Sequence, residues 1–75
     1  MRINTFKKKA HALVSDLGFT VNESTVSIYE TLKTVIVHMD DNNHFSIKED
    51  DLNIAFIKAL KILKAYKTKA VHPVD

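Results

Sequence analysis

The sequence predicts an all-α domain, a compact three-helix unit with two short extended joints in the order helix, strand, helix, strand, helix. Three observations carry this expectation. Apolar residues recur at helical spacing in three successive segments. A single Gly and a single Pro in 75 residues leave few places to break an element. A ten-residue pattern also recurs at a spacing of 26, FTVNESTVSI from Phe19 against FSIKEDDLNI from Phe45, and each copy reads as an extended triplet followed by a capped helix start.

In the first segment Ile3, Phe6, Ala10, Leu13, Val14 and Leu17 fall on one face of a helix, with Lys7, Lys8, Lys9, His11, Ser15 and Asp16 around the rest of the wheel. Asn4 or Thr5 is expected to cap its start. Gly18 suits the left-handed residue just past its end, and Phe19 then folds back onto the last turn.

The segment from Asn22 to Met39 carries two conflicting signals. Its β-branched residues, among them Val26, Ile28, Thr34, Val35, Ile36 and Val37, favour a strand. Its apolar residues Ile28, Tyr29, Leu32, Val35, Ile36 and Met39 share one helical arc, and no Gly, Pro or Asn interrupts the run from Ser24 to Met39. The periodicity favours a helix. The alternative is an α+β domain, helix, hairpin, helix, in which Thr34–Met39 and His44–Ile47 pair across the turn DDNN.

The last element begins after Ser46 and Glu49, which have capping-box spacing, and places Leu52, Ala55, Phe56, Ala59, Leu60, Leu63 and Tyr66 on its core face. Asp50 and Asp51 sit at its positive end and Lys64, Lys67 and Lys69 at its negative end. Pro73 stops it and leaves residues 70–75 as a frayed tail. The whole of 1–75 is expected to form one domain.

Two family resemblances attach to these motifs. The order of elements resembles the histone fold, with VNEST and SIKEDDL in the places of that family's two loops. The middle helix is shorter than that family's and the loop arginines are absent, so neither its handshake dimer nor its DNA path carries over. The stretch DDNNHFSIKEDDL from Asp40 resembles an EF-hand loop, with Asp40 at position 1 and Asp51 at position 12. Phe45 stands where that family needs its turning Gly, His44 stands at a ligand position, and Asp51 replaces the bidentate Glu. A capped, acidic helix start accounts for the same residues.

The net charge of +2 conceals basic ends and an acidic centre: +3 over residues 1–22, −5 over 23–53 and +4 over 54–75. There are no cysteines, which excludes disulfides and thiolate metal sites. The four histidines, His11, His38, His44 and His72, lack metal-protease spacing, and no Gly-rich phosphate loop exists. No nucleophile–base–orienter set is visible, so the chain reads as a non-enzyme with no catalytic, cofactor or metal residues. The opening MRINTFKKKAHALV has no apolar h-region and no run approaches a membrane span, so the expected setting is the cytoplasm without a membrane partner.

The expected function is that of a small regulatory or adaptor protein docking on a protein partner. A small core without staples also suggests a homodimer, with Val37, Ile54 and Ile57, which fall off the helical core faces, as the self-association residues. The second expectation is a nucleic-acid binder that tracks phosphates with Lys7, Lys8 and Lys9 and with Lys58, Lys61, Lys64 and Lys67, the latter four spaced by three along the last helix.

Overall fold

The computed structural model describes the backbone of residues 1–71 and the side chains of residues 1–66. The expectation for a frayed tail over 70–75 lies, beyond Val71, outside the described residues. The elements are α1 (Ile3–Asp16), β1 (Val26–Tyr29), β2 (Thr34–Asp40), β3 (Asn43–Lys48) and α2 (Leu52–Val71). The three strands form one antiparallel sheet in the order β1-β2-β3. The architecture is therefore α+β, which corrects the all-α, helical expectation. The helix, hairpin, helix alternative fits better, although the hairpin gains a third strand.

The reason for the error is local. Residues 22–39 contain a reversal at Glu30–Lys33 that uses none of the usual turn residues. Lys33 itself takes the left-handed conformation, with φ of 49°, and its N–H donates to the Glu30 carbonyl at 3.2 Å. Once the chain is folded back there, period two governs. Val35, Val37 and Met39 point into the core while Thr34, Ile36 and His38 point away. The helical arc of the sequence was a by-product of dense β-branched residues, and their strand propensity prevails because the pairing buries them.

Register follows from the same alternation: Val26 lies opposite Val37 and Ile28 opposite Val35, while Val35 also faces Ile47 and Val37 also faces Phe45. A β-bulge lies between His38 and Asp40. The turn Asp41–Asn42 that follows uses no positive φ, so it is not one of the primed turns whose twist suits a hairpin, and the added bulge twist compensates. Asp40 holds that turn, its Oδ1 accepting the Asn42 N–H at 2.8 Å and the Asn43 side-chain amide at 2.9 Å.

The ten-residue repeat has no structural counterpart. Its first copy is a loop, closed by Asn22 and Thr25, that ends in the first three residues of β1; its second copy contributes Phe45–Lys48 to β3 and ends in the start of α2. Thr25 is buried with its polar groups matched: Oγ1 accepts the Asn22 N–H, and its carbonyl accepts the His38 N–H at 2.8 Å. The capping assignments also shift. Ser46 is a strand residue, and α2 is capped by Asp51, whose Oδ1 accepts the Asn53 N–H at 2.8 Å. The N-cap of α1 is Arg2, with no side-chain cap, so Asn4 and Thr5 lie inside the helix. At the other end Gly18, φ 93°, donates to the Ser15 carbonyl and Phe19 to that of Val14, a Schellman closure.

Both helices cover one face of the sheet and run in the same sense. The Met1 ammonium donates to Asn53 Oδ1 at 2.6 Å, the rings of Phe6 and Phe56 stack at 4.4 Å with 12° between planes, and Lys9 and Leu13 lie beside Leu60 and Lys64. The core lies between helices and sheet: Phe6, Ala10 and Val14 from α1, Val26, Val35, Val37 and Met39 from the sheet, and Ala55, Phe56, Ala59, Leu60 and Leu63 from α2. Ile3, Leu13, Leu17, Leu52 and Tyr66, expected on the core faces, are partly buried at its margin.

Two backbone substitutions should shift stability in opposite directions. A Cβ at Gly18 meets nothing within 4 Å, so Gly18→Ala tests conformation alone and should cost roughly 1–2 kcal/mol. Lys33→Gly removes a left-handed L-residue and should gain up to about 1 kcal/mol. Urea denaturation of both variants would refute this account of the turns if the two shifts had the same sign.

Asp40 gives a pH-dependent expectation. The Asn43 side-chain bond, then the Asn42 backbone bond, hold its carboxyl below its ordinary 3.8. A depressed carboxyl stabilises the fold above its unfolded value, and that contribution disappears as pH falls through the lower folded value. Asp40→Asn should therefore be less stable than the parent chain at neutral pH, with the gap closing in acid below about pH 4. A gap independent of pH would disprove it.

Candidate docking surface

The fold separates charge by element. Within residues 3–16 and 52–66, the helices carry six lysines against Asp16, a net of +5. Residues 17–51, the sheet with its loops, carry seven carboxylates against Lys33 and Lys48, a net of −5. The basic ends and acidic centre of the sequence thus become basic helices and acidic turns and loops around the sheet.

The helical face also carries the apolar groups left over from the core. Ile54 and Ile57 project from α2 with 43% and 42% of their surface exposed. A groove of about 340 Å³ runs between the two helices, lined by Leu13 and Leu60 and flanked by Lys9 and Lys64, and helical spacing sets Ile57 one turn before Leu60 on α2. Ile54, Ile57 and Lys61 share the outward side of α2, because the opposite side is committed to Ala55, Phe56, Ala59 and Leu63.

Of the three expected self-association residues, only Ile54 and Ile57 are on this surface. Val37 is fully buried in β2 between Val26 and Phe45, so it belongs to the core. The sequence missed this because Val37 falls off a helical arc but on the inner face of a strand. The groove was also missed, since Leu13 and Leu60 are 47 positions apart and only the shared direction of the helices brings them together.

The expected polyanion residues are placed less coherently. A helix turns roughly 100° per residue, so spacings of three step back by about 60° each time. The four lysines of α2 therefore fan around the helix instead of forming a row. Lys58 turns toward the sheet side and donates to Glu49 Oε2 at 2.6 Å, Lys61 points outward, and Lys64 flanks the groove. The Lys67 side chain lies outside the described residues. On α1, Lys8 and Lys9 are exposed and Lys7 is half-buried.

The other surfaces offer less. The uncovered face of the sheet presents Ser27, Tyr29, Thr34, His38, His44 and Lys48 around a half-buried Ile36, a polar face of the kind an antiparallel sheet turns to water. Tyr29 and Leu32 are exposed at the β1–β2 turn. A cleft of about 720 Å³ opens where both helices start, lined in part by Met1, Arg2, Thr5, Glu30, Asn53 and Phe56, and brings together no nucleophile–base pair. His11 is half-buried on α1, with Nε2 lacking a partner.

The EF-hand-like stretch is not a loop: β3 stands between its two ends, separating Asp40 from Asp51 by roughly 20 Å at about 3.3 Å per residue. Among the described residues no group of three His, Cys, Asp or Glu side chains is placed to hold a metal ion, and no helix is long and apolar enough to cross a membrane. No protein-family model, curated protein or solved structure matches this chain.

Proposed function

We propose that the protein is a small, non-enzymatic, cytoplasmic adaptor or regulator that docks a protein partner on its helical face, the partner presenting apolar side chains bordered by carboxylates. The observation that carries this reading is the coincidence on one face of Ile54, Ile57 and the Leu13–Leu60 groove with the lysines of both helices. Isoleucines half exposed in a small domain gain from burial, at about 25 cal/mol per Å². The surrounding ammonium groups select the sign of the border.

A phosphate backbone is the second candidate for a face of this charge. It would cover two isoleucines with charged groups and leave them no apolar contact, and the fan of Lys58, Lys61 and Lys64 does not follow a single line. A second copy docked by the same face would place lysines against lysines. Both therefore rank behind an acidic protein surface.

The test uses the isotope-labelled chain and three probes: an amphipathic Leu/Glu peptide, its Leu/Lys counterpart, and duplex and single-stranded nucleic acid. The acidic peptide should shift the amides of Leu13, Ile54, Ile57 and Leu60, and Ile57→Glu should weaken it about tenfold or more, the scale of an interface hot spot. Nucleic-acid binding that falls steeply with salt and ignores Ile57→Glu would replace this reading with the phosphate one. A doubled sedimentation mass abolished by Ile57→Glu would assign the face to a second copy.

A further inference from the structure

The turn joining β2 to β3 places two imidazoles side by side on the uncovered face of the sheet. His38 lies directly opposite His44 in the register. The His38 N–H donates away from β3, to the Thr25 carbonyl, while Glu49 on the β3 side donates to Lys33. Counting from that bonded Lys33/Glu49 position in steps of one makes 38/44 a non-hydrogen-bonded pair. Such pairs bring Cα atoms to about 4.5 Å and side chains closest together. The rings accordingly stack, with centroids 5.9 Å apart and planes 25° from parallel.

We propose that His38 and His44 form a two-imidazole site for a divalent transition metal of the zinc, nickel and copper group, with water filling the remaining positions. Imidazole nitrogen is the side-chain donor those metals favour. Both histidines are exposed, neither imidazole ring makes a hydrogen bond among the described residues, and a cation shared by the two rings replaces a contact that is otherwise only a stack. Asp41 Oδ1 lies 3.8 Å from His38 Nε2. A movement of about an ångström makes it the carboxylate that orients a ligating imidazole. Asp40 is engaged by Asn42 and Asn43, which fixes the turn and so the spacing of the two strands that carry the rings. The site lies on the sheet, on the opposite side from the helical docking face, and is independent of it.

The experiment titrates zinc and nickel into the metal-stripped chain and follows the imidazole carbon-bound protons. His38 and His44 should move together and saturate at one metal per chain, with His11 unmoved. The melting temperature should rise as the metal joins β2 to β3. His38→Ala and His44→Ala, both at exposed positions, should each weaken binding at least about tenfold and abolish the stabilisation, while Asp41→Asn should weaken it less. Independent titration of the two rings, saturation unaffected by His44→Ala, or no binding of either metal would overturn the site.

Discussion

The stack of Phe6 on Phe56 is the contact on which the rest of the structure depends. It joins the only two helices of the described chain directly, on one face of the sheet, and both rings are almost wholly buried. An aromatic pair in this arrangement contributes about 0.5–1.5 kcal/mol beyond the area it buries. Its larger effect is geometric: it fixes the two helices at the same height and in the same direction. The groove between Leu13 and Leu60 and the proximity of the two helix starts follow. Ala10, Ala55 and Ala59 complete the arrangement by keeping the backbones near the sheet while the phenylalanines fill the interior.

How much of this was legible in the sequence depended on which element had a single reading. The two terminal helices were legible because helical periodicity there competes with nothing: Phe6, Ala10 and Val14, and Ala55, Phe56, Ala59, Leu60 and Leu63, are buried where their spacing places them. The Gly18 terminus was legible because positive φ points to glycine. The centre was not, since the reversal at Glu30–Lys33 leaves no compositional mark and a dense β-branched run satisfies two periods at once. The DDNN hairpin could be seen only as an alternative. Its strand propensity was outweighed by the apparent helical arc. Of the candidate surface the sequence offered Ile54 and Ile57 as off-core apolar residues and the lysines as a separate set, while Val37 changed sides with the secondary structure.

The separation of charge has a structural origin beyond composition. Strand-connecting turns and the α2 cap need short side chains that accept backbone hydrogen bonds, and Asp40 and Asp51 serve in those roles. The outer faces of helices need long, helix-compatible polar residues, and lysine meets that need. Local requirements of turn and helix therefore sort carboxylates to the turns and loops and ammonium groups to the helices. Lys58 with Glu49 is a direct contact across that divide. The asymmetry is thus partly a by-product of folding, and a partner that reads it would be using a feature the fold already needs.

The parallel helices also set the order in which the molecule can be completed during synthesis. A nascent chain that has emerged as far as Lys48 holds all three strands and α1, but α1 packs toward β1 while α2 packs over β2 and β3. Until α2 follows, the inward side chains Phe45 and Ile47 face water on a strand that also forms an open sheet edge. The ring of Phe6 waits without its partner. For that interval the sheet has half of its apolar face bare, so the arrival of α2 shields it from pairing with neighbouring chains.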